Sequence, residues 1–132
     1  MEMEIWNVWA TNRIPGAIGG LTTIIAIWVA ARFSSVAVEK GVNSLGKIIM
    51  SLFALSVFAS GWTIFTNIGN QWIGHAVAFQ GLKDSGVEIS PLAQGFIDQW
   101  GTEALTMPNP IGVVFLVSAL LIAILPLWVK TD

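Results

Sequence analysis

The sequence contains no cysteine and only one histidine, His75. The absence of cysteine excludes disulfide bonds, iron–sulfur clusters and cysteine-ligated zinc within this chain. With a single histidine, the chain by itself cannot hold a haem between two histidines. The spacing patterns of a nucleophile elbow, a phosphate-binding loop and a calcium-binding loop are also missing. We therefore expect no metal site and no catalytic centre, and the sequence leaves any cofactor unidentified.

Charged residues are scarce and are excluded from three long blocks. They make up 11% of the chain, against roughly 25% in an average soluble domain. Residues 14–31, 48–74 and 104–129 contain no charged residue and no histidine. A helix that crosses a bilayer core needs about 20 mainly apolar residues. The composition therefore predicts an all-α integral membrane protein with three transmembrane helices, at about residues 15–33, 47–68 and 111–129.

We expect one membrane domain over residues 1–132. Acidic residues precede the first apolar block, where a signal peptide would carry basic ones, so we expect this block to be retained as a span. Pro15 suits the first turn of a helix, and Asn109 followed by Pro110 suits the start of the third span. Whether residues 69–82 continue the second helix is open, because their glycines weaken a helix but no proline interrupts it.

The predicted outer loop, residues 70–109, contains one short amphipathic segment. Ser90 followed by Pro91 is typical of a helix N-terminus. Leu92, Phe96 and Trp100 follow at intervals of four residues and so share one helix face. We expect a short amphipathic extramembrane helix at about residues 91–104, lying on the membrane surface or against a partner.

Small and polar residues recur at intervals of three and four in the first two predicted spans, which places them on one face of each helix. Glycine and hydroxyl faces let transmembrane helices approach closely. We therefore predict a helix-packing interface formed by Gly16, Gly20, Thr23, Ser56 and Ser60.

The polar face of the second span also indicates a possible ligand groove. It continues beyond Ser60 to Thr63 and Asn67, and His75 follows the end of the span. A cofactor-binding groove between the first two spans would be lined by these four residues. No acidic or basic residue lies in any predicted span, which argues against a proton relay or a proton-coupled antiporter.

The basic residues indicate the orientation of the chain. Arg32, Lys40 and Lys47 flank the first connecting loop, whereas the predicted outer loop carries only Lys83. Because basic residues favour the cytoplasmic side, we expect the N-terminus outside and the C-terminus inside, in a bacterial-type inner or plasma membrane. The tryptophans fall mainly near the predicted span ends, which is typical of an interfacial belt.

Three short spans enclose little interior, and their small and polar faces need partners. We therefore expect a non-catalytic accessory or structural subunit of a larger membrane protein complex, in contact with the lipid bilayer and with other membrane subunits or copies of itself. One alternative is a membrane anchor for small-molecule binding or electron transfer, with a quinone, lipid or pigment as ligand. Another is a homo-oligomeric pore or holin-like protein. The net charge of −2 offers no basic surface, so we expect no nucleic-acid partner.

Overall fold

The structure is a computed structural model that describes residues 1–130, so residues 131 and 132 of the predicted domain lie outside the described residues. The described chain is all-helical, as predicted. Its four helices are α1 (Glu2–Glu39), α2 (Ser44–Asp84), α3 (Pro91–Trp100) and α4 (Pro110–Trp128). Three of them, α1, α2 and α4, are long and apolar enough to cross a membrane by length and composition.

The helices α1 and α2 are much longer than the apolar blocks that predicted them. α1 has 38 residues and α2 has 41, which corresponds to lengths of about 57 and 62 Å. α4 has 19 residues and is about 28 Å long, close to the thickness of a bilayer core. The start of α1 and the end of α2 therefore extend together beyond α4.

The start of α1 corrects one prediction, since α1 begins at Glu2 and Pro15 lies inside it. The question about residues 69–82 is also answered, because α2 continues through their glycines without a break. Both extensions bury aromatic side chains against each other, and the rings of Trp6 and Phe79 lie 4.7 Å apart. Burial of aromatic surface between the two extensions opposes the cost of the hydrogen bond lost at Pro15 and of the weak helix propensity of glycine.

The molecule divides into a bundle, residues 15–39, 44–68 and 110–128, and a head, residues 2–14, 69–84 and 91–100. In the bundle, α1, α2 and α4 meet at Thr23, Gly61 and Leu116, which are all buried. A Cβ atom on Gly61 would lie 2.7 Å from Leu116 Cδ2 and 3.0 Å from Thr23 Cγ2. The missing side chain of Gly61 is what lets the three helices approach each other at this level.

An aromatic cluster holds the head together. Phe79 and Phe96 lie at its buried centre with Ala76, Ala93 and Ile97, and Trp6, Trp9, Trp72 and Trp100 pack around them. The rings of Trp6 and Phe96 meet edge to face at 5.7 Å, a geometry that aromatic quadrupoles favour. These four tryptophans, which were predicted to belong to an interfacial belt, are half-buried against the core of the chain's own head.

The short helix α3 differs from its prediction in length and in setting. It ends at Trp100 and not at residue 104, because Gly101 takes a φ of 67° and leaves the helical conformation. Phe96 is buried and Trp100 is half-buried against α1 and α2, whereas Leu92 is 70% exposed. The predicted stripe is therefore not one exposed surface, because Phe96 and Trp100 pack against the chain's own helices and only Leu92 is free of them.

A carboxylate ties the start of α1 to the start of α3. Glu2 accepts hydrogen bonds from the Ser90 hydroxyl at 2.6 Å and from the Ser90 backbone N–H at 2.8 Å, and from the indole N–H of Trp6 at 3.1 Å. The Ser90 donors, with Trp6, hold the pKa of the Glu2 carboxyl below its usual range. Ser90 also caps α3 as predicted, since its hydroxyl oxygen accepts from Ala93 N at 3.2 Å.

The segment between α3 and α4 is held by the Asn70 side chain. Its amide donates to the Leu105 carbonyl at 3.0 Å and accepts from the Leu105 N–H at 2.7 Å. This reciprocal pair returns the chain to the bundle. There Asn109 caps α4 and Pro110 begins it, as predicted.

Candidate functional site

The structure does not bring together the four residues predicted to line a ligand groove. Ser60, Thr63 and Asn67 are exposed on α2, whereas His75 is only 8% exposed. The step from Asn67 to His75 turns the side chain by roughly 80° around the helix. Of the four, only His75 lies in the groove between α1 and α2.

The residues Ser56, Ser60, Thr63 and Asn67 form an exposed face of α2, which we call the polar face. The Ser56 and Thr63 hydroxyls donate to carbonyls about one turn earlier in their own helix, at 2.7 and 3.1 Å. Exposure means that no part of the described chain covers this face. Ser56 and Ser60 therefore do not pack within the described chain, and their predicted role in helix packing stays a prediction about a helix of another chain.

Internal packing on α1 uses part of the predicted face. Thr23 is buried, and a Cβ atom on Gly16 would lie 3.6 Å from Ile68 of α2. A Cβ atom on Gly20 would meet nothing within 4 Å, whereas one on Gly19 would lie 3.0 Å from Ile64 Cγ2. Gly19 therefore makes the close approach that the spacing had assigned to Gly20.

A groove of about 520 Å³ lies between α1 and α2, where the head meets the bundle. Its lining is mainly aromatic and polar toward the head and apolar toward the bundle. The lining residues are Trp9, Ala10, Asn12, Arg13, Ile14, Gly16, Ala17, Ile68, Gln71, Trp72 and His75. The groove is open to the surface of the molecule along α1 and α2, so an elongated ligand can enter it from the surface.

The charge of the groove comes from Arg13, the only charged residue in this lining. Its guanidinium carbon lies 4.9 Å from the centroid of the Trp9 ring. His75 Nε2 lies 3.4 Å from the Asn12 amide nitrogen, and burial lowers the pKa of His75. The imidazole is therefore mainly neutral at pH 7, and the groove presents one positive charge among neutral hydrogen-bonding groups.

The lining offers a ligand hydrogen-bonding groups, one positive charge and apolar contacts. The buried indole N–H of Trp9 has no acceptor among residues 1–130. Within the same residues, no group of three or more His, Asp or Glu side chains could hold a metal ion.

The sequence did not predict Arg13, Gln71 or Trp72 as groove residues, although the spacing on α1 and α2 contains a signal for Gln71. Trp9, Asn12 and Gly16 are spaced by three and four residues on α1, and Ile68, Gln71 and His75 are spaced in the same way on α2. This spacing indicates a shared helix face only if residues 9–16 and 68–75 are helical, and the sequence did not establish that both helices continue beyond their apolar blocks.

Comparison of the chain with protein-family models, with curated proteins and with solved structures finds no match.

Proposed function

We propose that the chain is an integral membrane protein that serves as an accessory or structural subunit of a larger membrane protein complex. The polar face of α2 carries this proposal. It is exposed along a helix whose neighbouring exposed residues are apolar, among them Leu52 and Leu55. Lipid tails offer no hydrogen-bond partner to Ser60 or Asn67, and small side chains suit the close approach of another transmembrane helix.

The bundle is the proposed membrane segment, with spans at residues 15–33, 47–68 and 111–129. Contacts between α2 and α4 support this placement, because they pair residues near both ends of the second and third proposed spans. Near one end, the Trp128 indole donates to the Ser51 hydroxyl at 2.9 Å. Near the other, the rings of Phe65 and Phe115 lie 6.0 Å apart. The length of α4 supports the same limits, because it is close to the thickness of a bilayer core.

The proposed orientation places the head outside and the chain's C-terminus in the cytoplasm of a bacterial-type inner or plasma membrane. Most basic residues lie toward the end of the bundle away from the head, namely Arg32, Lys40, Lys47 and Lys130. The chain has no cysteine, so single-cysteine variants test this directly. In intact cells, a membrane-impermeant maleimide should label Ser85→Cys, which directly follows α2 beside the head, and spare Ser44→Cys until the cells are lysed. The reverse pattern would contradict the orientation.

Replacement of Ser60 by leucine is expected to release the partner subunits. A bulky side chain on a closely packed face costs about 1–3 kcal/mol, which corresponds to a loss of affinity of about fivefold to 150-fold. The measurement is purification of the tagged protein in a mild detergent, followed by quantitative mass spectrometry of the membrane proteins that co-elute in fixed ratio.

The matched control is Ser118→Leu. Ser118 is exposed on α4, at a similar depth to Ser60 because Leu116 of α4 faces Gly61 of α2. This variant should keep its partners. If the native chain elutes alone, or if both variants lose partners equally, the accessory-subunit proposal is wrong. A homo-oligomer that makes vesicles leak to ions would instead favour the pore alternative.

A second candidate function is the binding of a small amphiphile, and the groove at the junction of head and bundle favours it.

A further inference from the structure

We propose that the groove between α1 and α2 binds one anionic phospholipid, with the lipid phosphate at Arg13 and an acyl chain along the bundle side. This inference rests on the proposed placement of the bundle in the membrane. It deepens the second candidate function by naming a ligand class, and it replaces the predicted lining of Ser60, Thr63 and Asn67 by the residues that form the groove.

The depth of the groove fits a lipid headgroup. Gly16 and Ile68 line it and lie at the ends of the proposed first and second spans. On the head side of these residues the lining offers donors from Asn12, Arg13 and Gln71, and toward the bundle it ends in the apolar residues Gly16, Ala17 and Ile68. A phospholipid has the same order of polarity along its length, so headgroup and chain meet matching surfaces.

The charge of the groove favours an anionic headgroup. Arg13 is exposed, and its guanidinium lies over the Trp9 ring. A guanidinium held over an aromatic ring keeps N–H groups that are suited to paired hydrogen bonds with phosphate oxygens. A quinone is neutral and would gain little from this cation.

The surroundings of the groove favour a lipid over a free anion. The head and the segments joined to it are acidic, with Glu2, Glu4, Asp84, Glu88, Asp98 and Glu103 against Arg13 and Lys83. This excess of negative charge opposes the approach of any anion, and inorganic phosphate has no apolar part whose burial would offset the repulsion. A phospholipid gains additional affinity from burial of its acyl chain.

Arg13→Gln is expected to lower the affinity for phosphatidylglycerol by about tenfold, the equivalent of one charge-assisted hydrogen bond. The loss for phosphatidylcholine should be smaller, because its cationic choline group leaves that headgroup without net charge. The measurement is titration of the purified, delipidated full chain in mild detergent with each lipid, with bound lipid counted by native mass spectrometry. Lys83→Gln is the matched control, because it removes a cation of the head that lies outside the groove lining and should not change either affinity.

The acyl part of the proposal has its own pair of variants. Gly16→Leu places a side chain in the groove and should reduce binding of phosphatidylglycerol by about tenfold or more. Gly20→Leu, on the same helix but outside the groove lining, should retain binding. Arg13→Lys keeps the positive charge and should bind phosphatidylglycerol more tightly than Arg13→Gln does. This comparison does not involve Gly16→Leu, so it tests the proposal even if that variant fails to fold.

Three results would overturn the inference: equal affinity for the two lipids, an equal effect of Arg13→Gln and Lys83→Gln, or displacement of phosphatidylglycerol by an equal concentration of inorganic phosphate. Displacement by ubiquinone that does not depend on Arg13 would also overturn it, in favour of a quinone site.

Extraction of native membranes with alkaline carbonate separates the two proposals. Release of the chain would contradict the membrane placement itself, whereas a retained chain without lipid preference contradicts only the inference.

Discussion

Phe79→Ala is expected to lower the free energy of unfolding by about 3–5 kcal/mol, the usual range for removing a buried phenyl ring. Phe79 is 0% exposed, and its ring lies 4.7 Å from the Trp6 ring and 5.8 Å from the Phe96 ring. The cavity would open where α1, α2 and α3 meet. We therefore expect the head to loosen before the bundle does.

The loosening of the head is measured by tryptophan fluorescence during thermal unfolding in detergent, together with limited proteolysis of the segments flanking α3. Leu92→Ala is the matched control, because Leu92 belongs to the same predicted stripe but is 70% exposed. It should change the unfolding midpoint little, since exposed substitutions usually stay within about 0.5 kcal/mol. Equal midpoints for Phe79→Ala and Leu92→Ala would show that the aromatic cluster does not hold the head.

Gly61→Val is expected to destabilise the bundle by about 1–3 kcal/mol, the usual cost of adding volume to a packed core. A single Cβ atom at this position would already lie 2.7 Å from Leu116 and 3.0 Å from Thr23. Leu116 is 1% exposed and Thr23 is 3% exposed, so neither side chain can swing out into solvent. The helices α1 and α4 would have to separate from α2.

Gly20→Val is the control for this prediction. A Cβ atom there would meet nothing within 4 Å, and both variants introduce the same β-branched residue into a helix, so the change in helix propensity cancels. Unfolding by heat or by a denaturing detergent, followed by circular dichroism, compares the two variants with the native chain. The packing role of Gly61 would be refuted by a midpoint for Gly61→Val that is no lower than for Gly20→Val.

The neighbouring residues Ser60 and Gly61 provide a test of how α2 divides its surface. They lie about 100° apart around the helix, with Ser60 exposed and Gly61 buried. Gly61→Val should lower the stability of the isolated chain, whereas Ser60→Leu should leave that stability unchanged and remove partners. This difference separates packing within the chain from packing between chains.

The sequence by itself determined the helical class, the presence of three long apolar helices and the starts of α3 and α4. These features are local. Apolar blocks set the composition of the helices, and the caps depend on residues within one turn, such as Ser90 before Pro91 and Asn109 before Pro110. Neighbouring residues are sufficient to establish such features, so they could be predicted without knowing where each helix packs.

Only the tertiary structure decided where α1 begins, which glycines pack and which way His75 faces. The first depends on Trp6 meeting Phe79, a contact between residues far apart in the sequence. The others depend on the rotation of each helix about its axis. Intervals of three and four residues identify a helix face, but they do not say whether that face turns toward another helix of the chain or away from it. The polar face of α2 turns away, and the groove formed instead on the side where α2 meets α1.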